Sequence, residues 1–142
     1  MRPGIGALTA GTIVGIALAF VGGSGRGVHA AASPPAVAET LLLRQDLPGL
    51  RGKELIVSRF RAEPGWLHGR HYHPGHELVY VLSGAGTIQA DGKAALPPPA
   101  GVVAYMPPGE VHAGGNASRT AEFEFLQVRI HEKGQPISVE LP

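Results

Sequence analysis

Three histidines and one glutamate are the residues of this chain whose types and spacing could support metal chemistry. His71 and His73 are separated by one residue, so both side chains would lie on the same face of a strand. Glu77 opens the next apolar segment after a short turn, and His112 follows a separate turn rich in proline and glycine. Three imidazoles and one carboxylate are a complete set of protein ligands for a transition metal, provided that the fold brings these segments together.

These four residues belong to a wider pattern in which glycine, proline and asparagine occupy fixed positions around them. In chain order its ten positions are Gly65, His71, His73, Glu77, Gly84, Gly101, Pro107, Gly109, His112 and Asn116. If each position has a chance of about one in ten under ordinary residue usage, ten coincidences have a probability of about one in ten billion per placement. The two halves of the pattern resemble the paired motifs of the cupin superfamily, and every motif position is matched.

The resemblance covers roughly residues 54–130 and implies a small antiparallel jelly-roll barrel. It also implies that one divalent transition metal is bound by His71, His73, Glu77 and His112. Ligation by several nitrogens and one carboxylate suits manganese, iron, nickel, zinc or copper, and it disfavours calcium and magnesium. Each of these residues alone would also fit a solvated surface position, but the complete pattern favours a metal site. The four motif glycines are expected in turns, and Asn116 is expected to form a turn through its side chain.

Other residues near the motifs have weaker signals. His68 precedes the histidine pair and could face the mouth of the pocket, where it is a weak candidate for a catalytic role, but a solvated surface position is favoured for it. His76 should point away from the site because it adjoins Glu77 on a strand. Arg70 could reach an anionic ligand from the rim or simply face solvent. Packing in the barrel wall is expected for the flanking side chains of Trp66, Tyr72, Tyr80, Tyr105 and Met106.

Short apolar segments separated by glycine and proline predict an all-β fold without a sustained helical period. The predicted strands span residues 41–44 (an edge strand), 54–62, 77–83, 86–90, 102–106 and 122–130. Asp91-Gly92 predicts a tight hairpin after the fourth of these strands, and three prolines exclude a central strand over residues 96–100. In the last strand the apolar alternation changes phase after Phe125, which predicts a bulge or a strand buried on both faces.

The first 32 residues have the layout of a secretory signal peptide. Arg2 gives a positive start, residues 5–21 are mostly apolar, and Ala30-Ala31-Ala32 before Ser33 forms an Ala-x-Ala cleavage site. A permanent membrane anchor is the alternative, but this apolar segment is short for a span of about 20 residues. The predicted organisation is therefore a signal peptide over 1–32, an N-terminal arm and edge strand over 33–53, and one barrel domain over 54–142. The mature protein would be periplasmic or secreted, with no membrane attachment after cleavage.

Composition excludes several classes of function. The chain of 142 residues has no cysteine, so neither a disulfide framework nor a thiolate metal site is possible. Its formal net charge is +1, and its basic residues form no continuous run, so no nucleic-acid partner is indicated. The predicted function is an exported metal-binding protein that can hold a small organic ligand. The alternative is a metal-dependent enzyme, dioxygenase-like or an isomerase or decarboxylase, acting on a small organic substrate. Pairing through edge strands makes a homodimer plausible.

Overall fold

In a computed structural model, residues 36–142 form nine antiparallel β-strands. In chain order they are β1 Val37–Asp46, β2 Lys53–Ala62, β3 Leu67–Tyr72, β4 His76–Ser83, β5 Gly86–Ala90, β6 Val103–Met106, β7 His112–Asn116, β8 Phe123–Glu132 and β9 Val139–Glu140. The predicted signal peptide, residues 1–32, lies outside the described residues. No helix within residues 36–142 is long and apolar enough to span a bilayer.

The strands form two sheets that enclose a common interior. One sheet has the order β1-β2-β8-β4-β6, and the other has the order β5-β7-β3-β9. This is the all-β, antiparallel architecture that the sequence predicted. β1 is an edge strand, as expected, and Leu41 and Leu42 on it are more than half exposed.

The apolar core fills one end of the interior. Its buried members are Ala62, Val79, Val81, Ala104, Met106, Phe123 and Phe125. Phe125 stacks on both Phe60 and Phe123, with ring centroids 5.1 and 4.8 Å apart. These residues belong to β2, β4, β6 and β8. The core therefore lies against the larger sheet, at the end where Phe123 and Phe125 of β8 point inward.

The strand β8 differs from the sequence prediction. Its pairing with β2 runs without interruption from Phe123 to Glu132, and its inward and outward residues alternate along the whole strand. The predicted bulge in β8 is therefore wrong; the irregularity lies in the neighbouring β4, between Val81 and Ser83. The apolar pattern changes phase because the inward residues change from phenylalanine to Gln127, Arg129 and His131, while the half-buried outward residues become aliphatic.

The turn predicted at Asp91-Gly92 is present, but no full strand returns from it. β5 pairs instead with β7. The returning segment meets β5 through an isolated bridge between Ile88 and Leu96 and a few single hydrogen bonds, such as that from the Gly86 N–H to the Pro98 carbonyl. The prolines of residues 96–100 explain this, because proline cannot donate the hydrogen bonds of a ladder. β7 lies between β5 and β3 and pairs with both, and its pairing with β3 positions the candidate site.

Candidate metal centre

The three histidines of the sequence pattern meet in the interior, on adjacent strands of the smaller sheet. His71 lies near the end of β3, His73 directly follows that strand, and His112 begins β7, where it is paired directly with His71. Each is at most 4% exposed. One ring nitrogen from each lies within 4.8 Å of the others. The structure therefore brings together three side chains that are separated by up to 41 residues in the sequence.

Glu77 reaches the same point from β4 of the opposite sheet. Its Oε2 lies 2.9 Å from Nε2 of His73 and 3.3 Å from Nε2 of His112. The side chain is 1% exposed, which makes it one of the most completely buried in the described part of the chain. All four residues predicted as metal ligands thus converge, with the carboxylate facing two of the three imidazoles.

Backbone carbonyls hold each of the three imidazoles in one tautomer. In every case Nδ1 is the ring nitrogen that makes the bond, and the pairs are His71 with Gly69 (2.8 Å), His73 with Ile137 (2.7 Å) and His112 with Glu110 (2.9 Å). A carbonyl oxygen only accepts hydrogen bonds, so Nδ1 must carry the proton. In a neutral ring Nε2 is then unprotonated, and its lone pair is available to a metal.

The centre of the cluster contains buried acceptor atoms that no donor satisfies. Nε2 of His73 and both carboxylate oxygens of Glu77 are buried and have no hydrogen-bond partner within residues 36–142. In the tautomer set by the carbonyls, lone pairs of His73 and Glu77 face each other across 2.9 Å, which is unfavourable unless a cation or a proton lies among them. These residues therefore fit a divalent metal, because a cation among the four side chains would satisfy all of the unpaired atoms at once.

The pKa values of the cluster reflect burial on one side and the mutual attraction of Glu77 and its cationic neighbours on the other. Burial by itself raises the pKa of Glu77, but the His112 and His73 imidazoles and Arg129 outweigh it and hold the pKa at about 2. Burial and the neighbouring imidazoles lower the pKa of His71 to about 4. For His112, burial lowers the pKa, but the Glu77 carboxylate more than compensates and the net shift is upward. The carboxylate of Glu77 thus favours positive charge next to it.

Arg129 on β8 supports Glu77 from behind, and the sequence analysis did not identify it. Its Nη2 lies 3.6 Å from Oε1 of Glu77, and the two residues are paired directly across β8 and β4. The guanidinium is buried, which lowers its pKa, and its Nε has no partner in the part of the chain that the structure describes. The change of phase in the apolar pattern of β8 was the sequence signal that could have identified this residue. It arises because the inward positions after Phe125 are polar.

A cavity of about 50 Å³ opens beside the cluster. Its wall is mainly apolar, and it also contains the amide of Gln127 on β8 and the ring of His68. His68 stacks on His71 with 3.8 Å between the ring centroids, and its Nε2 lies 3.2 Å from Oε1 of Glu140. His68 therefore borders the pocket, which is the position that a catalytic role would require.

The remaining predictions had mixed outcomes. His76 points outward and bonds the Tyr105 hydroxyl at 2.7 Å, as alternation required. Trp66 and Met106 line the cavity, but Tyr80 and Tyr105 are 40% and 53% exposed, so wall packing was wrong for both. They are on strands of the larger sheet at positions that face away from the interior. Arg70 forms a surface ion pair with Asp91. The Asn116 side chain fixes the turn that follows it: its Nδ2 donates to the carbonyls of Ala62, Glu63 and Ala121, and its Oδ1 accepts from the Ser118 N–H.

The last residues of the chain complete the site, although they lie beyond the segment that the resemblance covered. β9 pairs with β3, which places Glu140 opposite His71. The same segment supplies the Ile137 carbonyl to His73 and the Glu140 carboxylate to His68. No local sequence signal marks these contacts, because each joins residues more than 60 positions apart.

The stability of the metal-free protein should fall on acidification. The folded-state pKa of His71 is lowered from 6.5 to about 4, so its contribution is fully present above pH 6.5 and is lost as the pH falls toward 4. We expect a loss on the order of 1–2 kcal/mol in this window. Urea unfolding at pH 7 and pH 4.5 would measure it, with His71→Gln as a non-titrating control. Equal losses in both proteins would show that His71 is not the responsible group.

Comparison with known proteins was consistent with this geometry. Residues 58–129 match the family model described as Cupin domain. The matched segment begins in β2, ends in β8 and includes all four clustered residues. No curated protein matches the chain.

Solved structures with the same architecture include proteins with and without a known activity. A cupin-like protein from Thermotoga maritima is 28% identical, with a TM-score of 0.62 and coverage of 74% of this chain and 75% of that chain. A conserved protein of unknown function from Streptococcus pyogenes is 27% identical, with a TM-score of 0.55 and coverage of 70% and 77%. An oxalate decarboxylase is also 27% identical, with a TM-score of 0.53; the match covers 61% of this chain but only 24% of that enzyme.

Proposed function

Since the chain belongs to the cupin superfamily, we propose that it is an exported protein that holds one divalent transition metal and binds a small organic ligand beside it. The metal would be bound by His71, His73, Glu77 and His112. When bound, such a metal supplies Lewis-acid or redox chemistry at its free coordination positions. The protein residues supply a rigid set of ligands, a largely apolar cavity and, at its wall, the ring of His68.

One observation carries the proposal: the three imidazoles are all held with Nδ1 on a backbone carbonyl. A single histidine in this state could be structural, because a buried ring must bond something. Packing does not explain the full arrangement, in which three Nε2 atoms face one another and also face a buried carboxylate. This arrangement leaves His73 and Glu77 without hydrogen-bond partners in the described part of the chain. A metal at this point would satisfy these unpaired atoms. Histidines that bind a metal through one ring nitrogen typically donate a hydrogen bond from the other.

Cobalt titration tests the proposal directly. We expect metal-free protein to take up one Co²⁺ per chain, with a visible spectrum that saturates at one equivalent. Uptake should weaken below about pH 6, because imidazoles must be neutral to bind metal and their ordinary pKa is ~6.5. Azide added to the cobalt protein should change the spectrum if a coordination position is open. A protein that takes up no cobalt at neutral pH would contradict the metal site.

The second candidate function is catalysis by the same centre, as a dioxygenase-like enzyme or as an isomerase or decarboxylase. Two observations favour it: the cavity adjoins the cluster, and His68 lies on its wall next to His71. Similarity to one part of an oxalate decarboxylase is compatible with it but identifies no substrate. The azide experiment can exclude catalysis but cannot establish it. A cobalt spectrum that azide leaves unchanged indicates a closed site and rules out catalysis at the metal.

Export is the part of the proposal that rests on sequence alone. We expect the mature protein to begin at Ser33, or at Ala31 if the earlier cleavage site after Val28-His29-Ala30 is used. Mass analysis of the N-terminus of protein recovered from the periplasm or the medium would identify the site. An intact Met1 in a membrane fraction would instead support the anchor.

A further inference from the structure

The cavity beside the cluster has two neutral polar side chains on its wall, Thr87 and Gln127, and Gln127 is the more deeply buried of the two. Gln127 is 9% exposed and lines the cavity from β8. Its amide makes no hydrogen bond within residues 36–142, although it can donate two and accept two. The directly opposed residue on β2, Ser58, also has a buried hydroxyl without a partner in that range, so the two do not satisfy each other. Because Gln127 borders the cavity, the hydrogen bonds of its amide are available to a ligand there.

The rest of the wall restricts what such a ligand can be. Apart from the imidazoles of the cluster and His68, the wall offers no cationic side chain: no lysine or arginine lines the cavity in the described part of the chain. The other lining residues are mainly apolar, and they include Trp66, Val79, Ile88, Met106, Phe123 and Phe125. An anionic group could therefore be held only at the metal, and the body of the ligand must be apolar.

The register of the strands limits the length of the ligand. Arg129 is paired directly with Glu77, and Gln127 is the next inward residue along β8. Two residues along a strand span about 7 Å, so a group bound at the metal and a group bound at Gln127 can belong to one short molecule. The cavity volume of about 50 Å³ agrees with a compact ligand, because one water occupies about 10–15 Å³ of such volume.

Building on the proposed metal site, we propose that Gln127 determines ligand specificity and that the ligand is a compact monocarboxylic acid with a neutral hydroxyl or carbonyl group at its far end. The carboxylate would occupy the metal side, the carbon chain would contact the apolar wall, and the far oxygen would bond the Gln127 amide. Dicarboxylates are disfavoured, because a second carboxylate would enter an apolar end without a cation.

The test uses three pairs of acids that differ only by hydroxyl against methyl at the terminal carbon. They are glycolate with propanoate, 3-hydroxypropanoate with butanoate, and 4-hydroxybutanoate with pentanoate. Each acid is titrated into the full-length mature protein loaded with cobalt, and binding is followed through the visible spectrum. Wild type is compared with Gln127→Leu, which keeps the volume and removes the hydrogen bonds. Gln45→Leu makes the same change on the exposed edge strand, and Ser58→Ala tests whether the opposed hydroxyl matters.

In wild type we expect at least one hydroxy acid to bind about tenfold more tightly than its methyl partner, which is the effect of one good buried hydrogen bond. Gln127→Leu should abolish or reverse that preference, while Gln45→Leu and Ser58→Ala should keep it. The proposal is overturned if Gln127→Leu leaves every preference within twofold of wild type, or if no acid changes the spectrum of the cobalt-loaded protein. Failure to load cobalt at all would instead contradict the metal site itself.

Discussion

Alanine at both His71 and His112 should reduce the metal content of the purified protein from about one ion per chain to less than a tenth. The two imidazoles are directly paired across β3 and β7, and each is held with Nε2 toward the centre. Their removal leaves only His73 and Glu77, which is too few ligands for a tightly bound transition metal. Elemental analysis after dialysis against a weak chelator would measure the loss.

His76→Ala is the matched control for that experiment. It removes one imidazole close to the site in sequence, but this ring is exposed and bonds Tyr105 on the outer face. Metal content should be unchanged from wild type. Circular dichroism should show that all variants retain the β-fold, because a loss of metal through unfolding would not identify the ligands. Equal metal content in wild type and the double variant would mean that the site is elsewhere.

Gly75→Ala should destabilise the protein by about 3 kcal/mol or more, at the upper end for overpacking. A Cβ at this position would lie 2.2 Å from the Ile130 carbonyl oxygen and 3.1 Å from Cα of His131. Both are backbone atoms of β8, so no side-chain rotation can relieve the contact. Gly75 lies between His73 and Glu77, so any shift of the chain here also displaces two of the proposed metal ligands.

Gly69→Ala provides the comparison, because it is the same change six residues away. A Cβ at Gly69 meets no atom within 4 Å, and the backbone there is not in the left-handed region. Its stability should stay within about 0.5 kcal/mol of wild type. Urea unfolding of both variants, followed by cobalt titration, would test the pair. A Gly75→Ala protein within 1 kcal/mol of wild type would show that β8 and the turn before β4 are not packed as closely as described.

The sequence alone was sufficient where a local chemical requirement identifies a residue. The motif glycines Gly65, Gly84, Gly101 and Gly109 all have φ between 75° and 85°, a region that other residues rarely adopt, so their place in turns could be predicted without tertiary structure. Alternation on strands likewise predicted that His76 faces outward. The positions of six of the nine strands followed from apolar segments bounded by glycine and proline, and the observed bounds of β2, β4 and β6 differ from the predicted ones by one residue. The short strands β3, β7 and β9 were not among the six.

Tertiary structure alone decided which polar residues of β8 face the site and which distant groups complete it. Gln127 and Arg129 follow Phe125 where the apolar alternation changes phase, so the sequence left open which way they face. The uninterrupted pairing of β8 with β2 places them on the inward face that Phe123 and Phe125 also occupy. The Ile137 carbonyl and the Glu140 carboxylate reach the site only because β9 pairs with β3. Local sequence determines backbone conformation and side-chain alternation, whereas contacts between segments far apart in the chain depend on how the two sheets close, which no short pattern encodes.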